Sequence, residues 1–254
     1  GRIWCGWACP HTVFLDHVYR RIERWVDGDA VQRRKLATAP LSVGKIVRRI
    51  VKHALYLLVS AAITHLFLAY FVSIPEVWSM MRAAPTEDQK VFLCTQIADE
   101  ARHVRFFERF YREVGVLEAD GLSEMLAETS AHLNADFSRL FDEMLGRRTE
   151  RLAREPEDIE ALVEAVTLYH MVIEGMLALT GQHFIMDFNE REGTLPAFVE
   201  GFGNVARDEH RHVAFGSVFL REKAREDDRY KRAIQRTLEE SLPVADGVLS
   251  PPWA

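Results

Sequence analysis

The sequence predicts an all-α protein, a bundle of long helices preceded by a membrane-type helical segment. Three observations predict it. Only 14 Gly and 9 Pro punctuate 254 residues, so long stretches run without a helix breaker. No segment shows the apolar–polar alternation of a strand. Apolar residues make up 48% and charged residues 28%, a balance that supports a packed core and excludes wholesale disorder. The three cysteines, Cys5, Cys9 and Cys94, cannot build a disulfide-stapled secreted fold. A net charge of −6 gives no reason to expect a nucleic-acid partner.

That net charge hides two unlike parts. Residues 1–53 hold 11 Lys/Arg against 4 Asp/Glu, and the remainder holds 21 against 34. Between them, residues 54–74 carry no charged side chain, a run long enough to span a bilayer core. Lys45, Arg48, Arg49 and Lys52 precede it, a cationic flank of the kind that stays in the cytoplasm. The other reading is a buried helix of a soluble domain, which Ser60, Thr64 and His65 inside the run would suit. With neither an initiator Met nor a cleavable signal pattern, the chain reads as truncated at its start. Two parts follow: residues 1–80, basic and membrane-type, and residues 81–254, a helical bundle.

The bundle elements can be taken in order. Thr86-Glu87-Asp88-Gln89 is a capping box, opening a helix that Gly115 ends. Shorter helices fit residues 121–133 and 135–153. Pro156 opens a long helix from 157 to about 192, and after a Gly-containing turn another covers 195–225. A last helix lies near 229–242, before a Pro-rich tail. Long helices with short connections make a bundle.

Polar residues interrupt the stripes that should be apolar. The first long helix aligns Gln96, Glu100, His103, Phe107, Phe110 and Val114. The middle one aligns Val163, Thr167, His170, Glu174 and Ala178. The late one aligns Phe198, Phe202, Val205, Glu209, His212, Gly216 and Phe219. Ionised carboxylates facing a core need a countercharge, and three in one interior call for divalent cations. Residues at i and i+3 project side by side, so Glu100/His103 and Glu209/His212 can each offer an oxygen and a nitrogen to a metal. Two Glu-x-x-His pairs with further carboxylates from other helices define the ferritin-like di-metal arrangement. Heights agree: Glu174 lies about 18 residues before the turn near Glu192 and Glu209 about 15 after it, so both stand roughly 22–27 Å from it.

Two resemblances attach to these residues. GRIWCGWACPHT (1–12), ERWVDGD and HLFLAYF resemble the membrane part of the FixG-type cytochrome c oxidase accessory proteins, over roughly residues 1–80. That family is linked to copper handling in oxidase assembly; its Cys-rich cluster motifs are absent here. Cys5 and Cys9 suit either an incomplete soft-metal site or two membrane-buried thiols. ADEARHVRFFERFYREVG (98–115), TLYHMVIEGMLALTG (167–181) and RDEHRHVAFG (207–216) are similar to the R2-like ligand-binding oxidases, relatives of the ribonucleotide reductase small subunit. The resemblance implies that Glu100, His103, Glu174, Glu209 and His212 ligate a Mn/Fe or di-iron centre. It implies O2 activation for two-electron oxidation, a bound long-chain fatty acid, a homodimer and a cytoplasmic location. Tyr169 matches a tyrosine that cross-links to a nearby Val, and is the expected redox-active side chain.

Three departures follow from the same comparison. Phe107 stands where reductase small subunits carry the radical Tyr, leaving a reductase only a metal-based oxidant; Tyr111 reads as packing. The family uses a sixth ligand, a Glu from the preceding helix, expected near residues 65–70, where the sequence reads His65-Leu66-Phe67-Leu68-Ala69-Tyr70. Glu76 is too close to the turn, so the first bundle helix is missing or replaced, with His65 as a substitute ligand or an ordinary membrane-segment histidine. The Val partner of Tyr169 belongs to the same lost helix. A single span with its basic flank inside would also put the bundle across the inner membrane from its cytosolic relatives. A frame fused near residues 75–85 explains both conflicts, leaving a copper-handling fragment or an inert chimera as rivals to the oxidase. Sequencing the locus from independent DNA tests it. His170 reads as either a hydrogen-bond donor behind Glu174 or packing, His210 as solvated, Cys94 as a small core residue, and the arginine-rich runs 147–151 and 221–229 as solvated faces.

Overall fold

The computed structural model describes residues 20–40, 42–68, 73–114, 124 and 133–249, and of residues 20, 30, 37, 56–68, 73, 114 and 249 the backbone alone. Among these, every element is helical. Helices α1 (Arg20–Asp27), α2 (Ala30–Thr38) and α3 (Val43–Leu68) come first. Asp29 caps α2, taking the N–H groups of Val31 and Gln32, while Gln32 returns the bond to the Asp29 backbone. The first part of the charge-free run is therefore helical as far as Leu68. Cys5, Cys9 and residues 69–72 lie outside the described residues, as does the His65 side chain.

Helix α4 (Ser73–Ala83) leads to α5 (Glu87–Val114), whose Gln89 N–H donates to Thr86 Oγ1 at 3.3 Å, the expected cap. The helix expected over 121–133 falls almost wholly outside the described residues. Helix α6 runs on through Ala135–Ser138, a π-wound Arg139–Leu145 and Gly146–Arg154. Helix α7 spans Ile159–Glu192. It starts later than Pro156 suggests, because the Asp158 side chain takes the Ala161 N–H and fixes the first turn there. Gly193, at φ 62°, closes α7 in the left-handed conformation that glycine adopts without strain. Helix α8 (Pro196–Glu226) follows with Pro196 in its first turn. Helix α9 (Asp228–Leu249) passes through Pro243 instead of stopping at 242. Proline removes one N–H there, but Val244 and Ala245 beyond it are 4% and 0% exposed, and that burial holds the helix together.

Helix α7 is the central rod. It packs on α8 and α9, while α5 lies against α8 and α4 touches both α5 and α6. By length and composition α7 is apolar enough to cross a membrane, yet 72% of its apolar window is buried inside the protein, as befits a core helix. Leu162, Val166 and Leu168 pack with Phe137, Phe141 and Leu145 of α6 and with Ala233 and Val244 of α9. A second group joins Phe107 and Phe110 of α5 to Phe198 and Phe202 of α8. Each such side chain contributes about 1.5–3 kcal/mol on burial. Arg148 and Arg151 are more than solvated: Arg148 meets Glu240 of α9, and both reach Glu164 of α7. Cys94 is exposed, contrary to a core role, since it faces away from the stripe that carries Leu93 and Gln96.

Candidate metal centre

Three helices bring the expected ligands to one place. Glu100 and His103 come from α5, Glu174 from α7, and Glu209 and His212 from α8. Glu100, His103, Glu209 and His212 are 1% exposed and Glu174 3%. Ligand atoms of Glu100, Glu174, Glu209 and His212 all lie within 4.8 Å of one another. His103 joins them through Nδ1, 3.5 Å from Glu100 Oε2 and 3.3 Å from Glu209 Oε1. His212 Nδ1 is 3.3 Å from Glu174 Oε1 and 3.6 Å from Glu209 Oε2. Glu174 and Glu209 do stand at one height, on helices joined by the turn at Gly193.

Both imidazoles turn Nδ1 inward because carboxylates hold their other nitrogen. His212 Nε2 lies 3.1 Å from Asp99 Oδ2, and His103 Nε2 lies 3.3 Å from Asp208 Oδ2. A carboxylate accepts, so each Nε2 carries hydrogen and each Nδ1 can present its lone pair to the centre. The arrangement is reciprocal: the aspartate beside Glu100 serves the histidine of α8, and the aspartate beside Glu209 serves the histidine of α5. Arg211 bonds both aspartates, and Arg102 pairs with Asp99. The sequence held the signal, since Asp precedes Glu in both Glu-x-x-His motifs, but ligand spacing alone does not assign it.

Behind Glu174 runs a second chain of bonds. Gln96 Nε2 donates to Glu174 Oε1 at 2.9 Å, and Gln96 Oε1 lies 3.1 Å from His170 Nε2, which must therefore be the donor. His170 thus supports Glu174 through Gln96 and not directly. Tyr169 O–H donates to Glu100 Oε1 at 3.1 Å. Tyr169, His170 and Glu174 all belong to the π-wound stretch Thr167–Ala178 of α7, a winding that recurs at functional sites. Phe107 is wholly buried against Phe202, and Tyr111 is buried in the same aromatic group. His210 is exposed, with Nδ1 on the Ala206 carbonyl.

The electrostatics show a centre short of positive charge. Burial pulls the His103 and His212 pKa values down, but Glu100 and Glu209 raise His103 to about 10, and Glu174 and Glu209 raise His212 to about 11. Burial pushes Glu174 well above the usual carboxylate range, and the nearby Glu209 charge adds to it. Burial raises Glu209 too, but the neighbouring imidazoles of His103 and His212, 3.3 and 3.6 Å away, win and bring it below its ordinary value. His170 is driven down to about 3, by burial and then by the His212 charge, and stays neutral. Glu174 Oε2, both Glu209 oxygens and His212 Nδ1 are buried without a hydrogen bond. Hard oxygens and imidazole nitrogens left orphaned around one point are the donor set of iron and manganese. The residues fit such ions. Glu76 is outside this cluster: burial and then Asp142 lift it to about 7.

Known proteins match the chain in two different ways. A 4Fe-4S binding domain family matches residues 1–28, which contain Cys5 and Cys9 but not the four thiolates of a complete cluster. The nitrogen fixation protein FixG of Rhizobium meliloti (strain 1021) is 37% identical over 83 residues, 33% of this chain; the chain spans 16% of that relative's length. Among solved structures, an R2-like ligand-binding oxidase with aerobically reconstituted Mn/Fe cofactor superposes with a TM-score of 0.65 at 24% identity, covering 94% of this chain and 77% of that one. A glycine-to-leucine variant with anaerobically reconstituted Mn/Fe cofactor gives 0.63 at 25%, covering 94% and 81%. The chain is an all-α, ferritin-like protein that resembles R2-like ligand-binding oxidases in fold, with a FixG-like stretch at its N-terminal side.

Proposed function

We propose that this protein is a di-metal carboxylate oxidase, binding two iron or manganese ions and reducing O2 during two-electron oxidation of a small apolar ligand such as a fatty acid. The observation that carries the reading is the set of buried, unbonded donor atoms of Glu174, Glu209 and His212 facing Glu100 and His103. Glu100, Glu174, Glu209, His103 and His212 would hold the ions, which supply the redox electrons that O2 reduction needs and protein side chains do not.

The chain's own residues do the rest. Asp99 and Asp208 keep the imidazoles in the Nε2–H form. Gln96 fixes one Glu174 oxygen and leaves the other, Oε2, as the one that would face an ion. Tyr169 holds a proton on Glu100 and is placed to give it up as charge at the carboxylate changes. Phe92, stacked on Phe215 at 4.3 Å and edge-on to His212, walls the site from water. Phe107 removes the side chain on which a tyrosyl-radical reductase would depend.

Metal analysis of protein expressed with iron and manganese should give two equivalents per chain, and Glu174→Ala should lose one of them. Stoichiometry near zero would overturn the reading. The FixG-like stretch favours a second one, a copper-handling fragment. Copper binding that depends on Cys5 and Cys9, with no iron or manganese in the bundle, would select it.

A further inference from the structure

Arginines cover the outer face of the metal centre. On α5, Arg102, Arg105, Arg109 and Arg112 follow one another at steps of three and four, so they share one face along about 15 Å of helix. Helices α5 and α8 run antiparallel, with Phe92 on Phe215 and Phe107 on Phe202, which sets Arg207 and Arg211 of α8 beside the Arg102 end. The side chains of Arg102, Arg105, Arg109, Arg112 and Arg211 are 54–75% exposed. Most carboxylates that pair with them lie beneath: Asp99 is 5% exposed, Glu108 6% and Asp208 20%, while Glu113, the partner of Arg109, is 39%. An approaching molecule therefore meets cations first. Among the described residues, neither α5 beyond Val91 nor α8 before Val218 exposes a large apolar side chain. Such a face suits charge-led, reversible contact and not a permanent subunit interface.

Below the arginines the contacts continue inward. Arg211 Nη2 lies 3.1 Å from Asp99 Oδ2, which lies 3.1 Å from His212 Nε2. Arg211 also bonds Asp208, which lies 3.3 Å from His103 Nε2. One exposed guanidinium is thus two hydrogen bonds from each imidazole of the centre.

The oxidase reading, on which this inference rests, requires electrons from outside. Reduction of one O2 to two waters takes four electrons and four protons. The ligand gives up two of each, the ions one electron apiece, and solvent the other two protons. Two electrons must then be returned before the next turnover.

We propose that the arginine face of α5 and α8 docks an acidic one-electron carrier protein of the 2Fe-2S ferredoxin class, and that electrons enter through the Asp99–His212 and Asp208–His103 pairs. Each docked carrier is oxidised by one electron, and two dockings restore both ions to the divalent state. Guanidiniums spread over two helices fit a protein surface with several carboxylates better than one small anion. A second copy of this chain would bring arginine against arginine. Charge steering speeds the encounter without requiring tight binding.

The test uses the full chain with a plant-type 2Fe-2S ferredoxin as probe, binding being measured on metal-free and metal-loaded protein and metal content read in the same samples. Binding should occur in both forms and weaken steeply with salt. Arg105→Glu with Arg109→Glu, which leaves Asp99 and Asp208 their partners, should weaken it about 10–100-fold with metal content and helicity unchanged. Loaded, oxidised protein should re-oxidise two reduced ferredoxins per chain, followed by the return of their visible absorbance, and the double variant should slow that transfer at sub-saturating ferredoxin. Absent or salt-independent binding, unchanged binding in the double variant, or equal binding of basic cytochrome c would overturn the docking face and leave the oxidase reading in place. Docking without electron transfer to loaded protein would overturn the route. Protein that takes up no iron or manganese would overturn the oxidase reading and the carrier's role together.

Discussion

At the scale of single residues, the aspartates set which nitrogen each histidine turns toward the carboxylates. If Asp99 and Asp208 hold the imidazoles in the ligating tautomer, Asp99→Ala and Asp208→Ala should each weaken metal affinity by about 10–100-fold, measured by chelator competition. The Asn variants, which keep an acceptor oxygen, should lose less. Equal affinity in all four would refute the assignment. His170 offers a test on the metal-free protein. Its pKa falls from 6.5 to about 3 on folding. Below pH 6.5 the unfolded chain takes up a proton that the folded chain refuses, so this group's contribution to stability drops as pH falls toward 3. Compared with His170→Asn, the wild type should lose up to about 1.4 kcal/mol per pH unit over that window, read from urea midpoints. Parallel pH profiles for the two proteins would show that His170 is not held neutral.

At the scale of elements, two helices must nearly touch beside the site. A Cβ at Gly216 would lie 2.5 Å from His170 Cβ and 2.9 Å from its ring. Neither can swing away, being next to the α7 backbone, so Gly216→Ala should cost about 1–3 kcal/mol in chemical denaturation. Gly203, in the same helix, would meet only the flexible end of Met186 at 3.5 Å, so Gly203→Ala should stabilise by about 0.5–1 kcal/mol. Like signs for the two would remove the close-packing argument. Helix existence was legible in the sequence because periodicity and caps such as Thr86 report it directly. The π-winding of Thr167–Ala178 was not: a step from four to five residues in backbone bonding leaves the stripe Val163, Thr167, His170, Glu174 almost unchanged. Asp158 displaced Pro156 as the start of α7 because a side-chain cap outweighs proline's tolerance of a first turn.

At the scale of the whole molecule, the cluster of five candidate ligands from three helices was legible because burial of charge is costly wherever the chain goes, so each polar break in an apolar stripe pointed to a common partner. Asp99, Asp208 and Gln96 were harder to read, since their work depends on which helix faces which, and that is set only by packing. The same logic makes metal and fold thermodynamically inseparable. In the absence of ions, protons take their place: His103 and His212 hold theirs up to about 10 and 11. Ligation needs the Nδ1 lone pairs, so loading at neutral pH must expel at least one proton per imidazole, and affinity must rise with pH. A pH indicator in weak buffer should register that release. If the ions bind only where the helices converge, free metal at 100 times Kd should add about 2.7 kcal/mol to stability, and a chelator should take it away. Loading without proton release, or without a shift in the unfolding midpoint, would mean that the carboxylates of this bundle are neutralised by something other than metal.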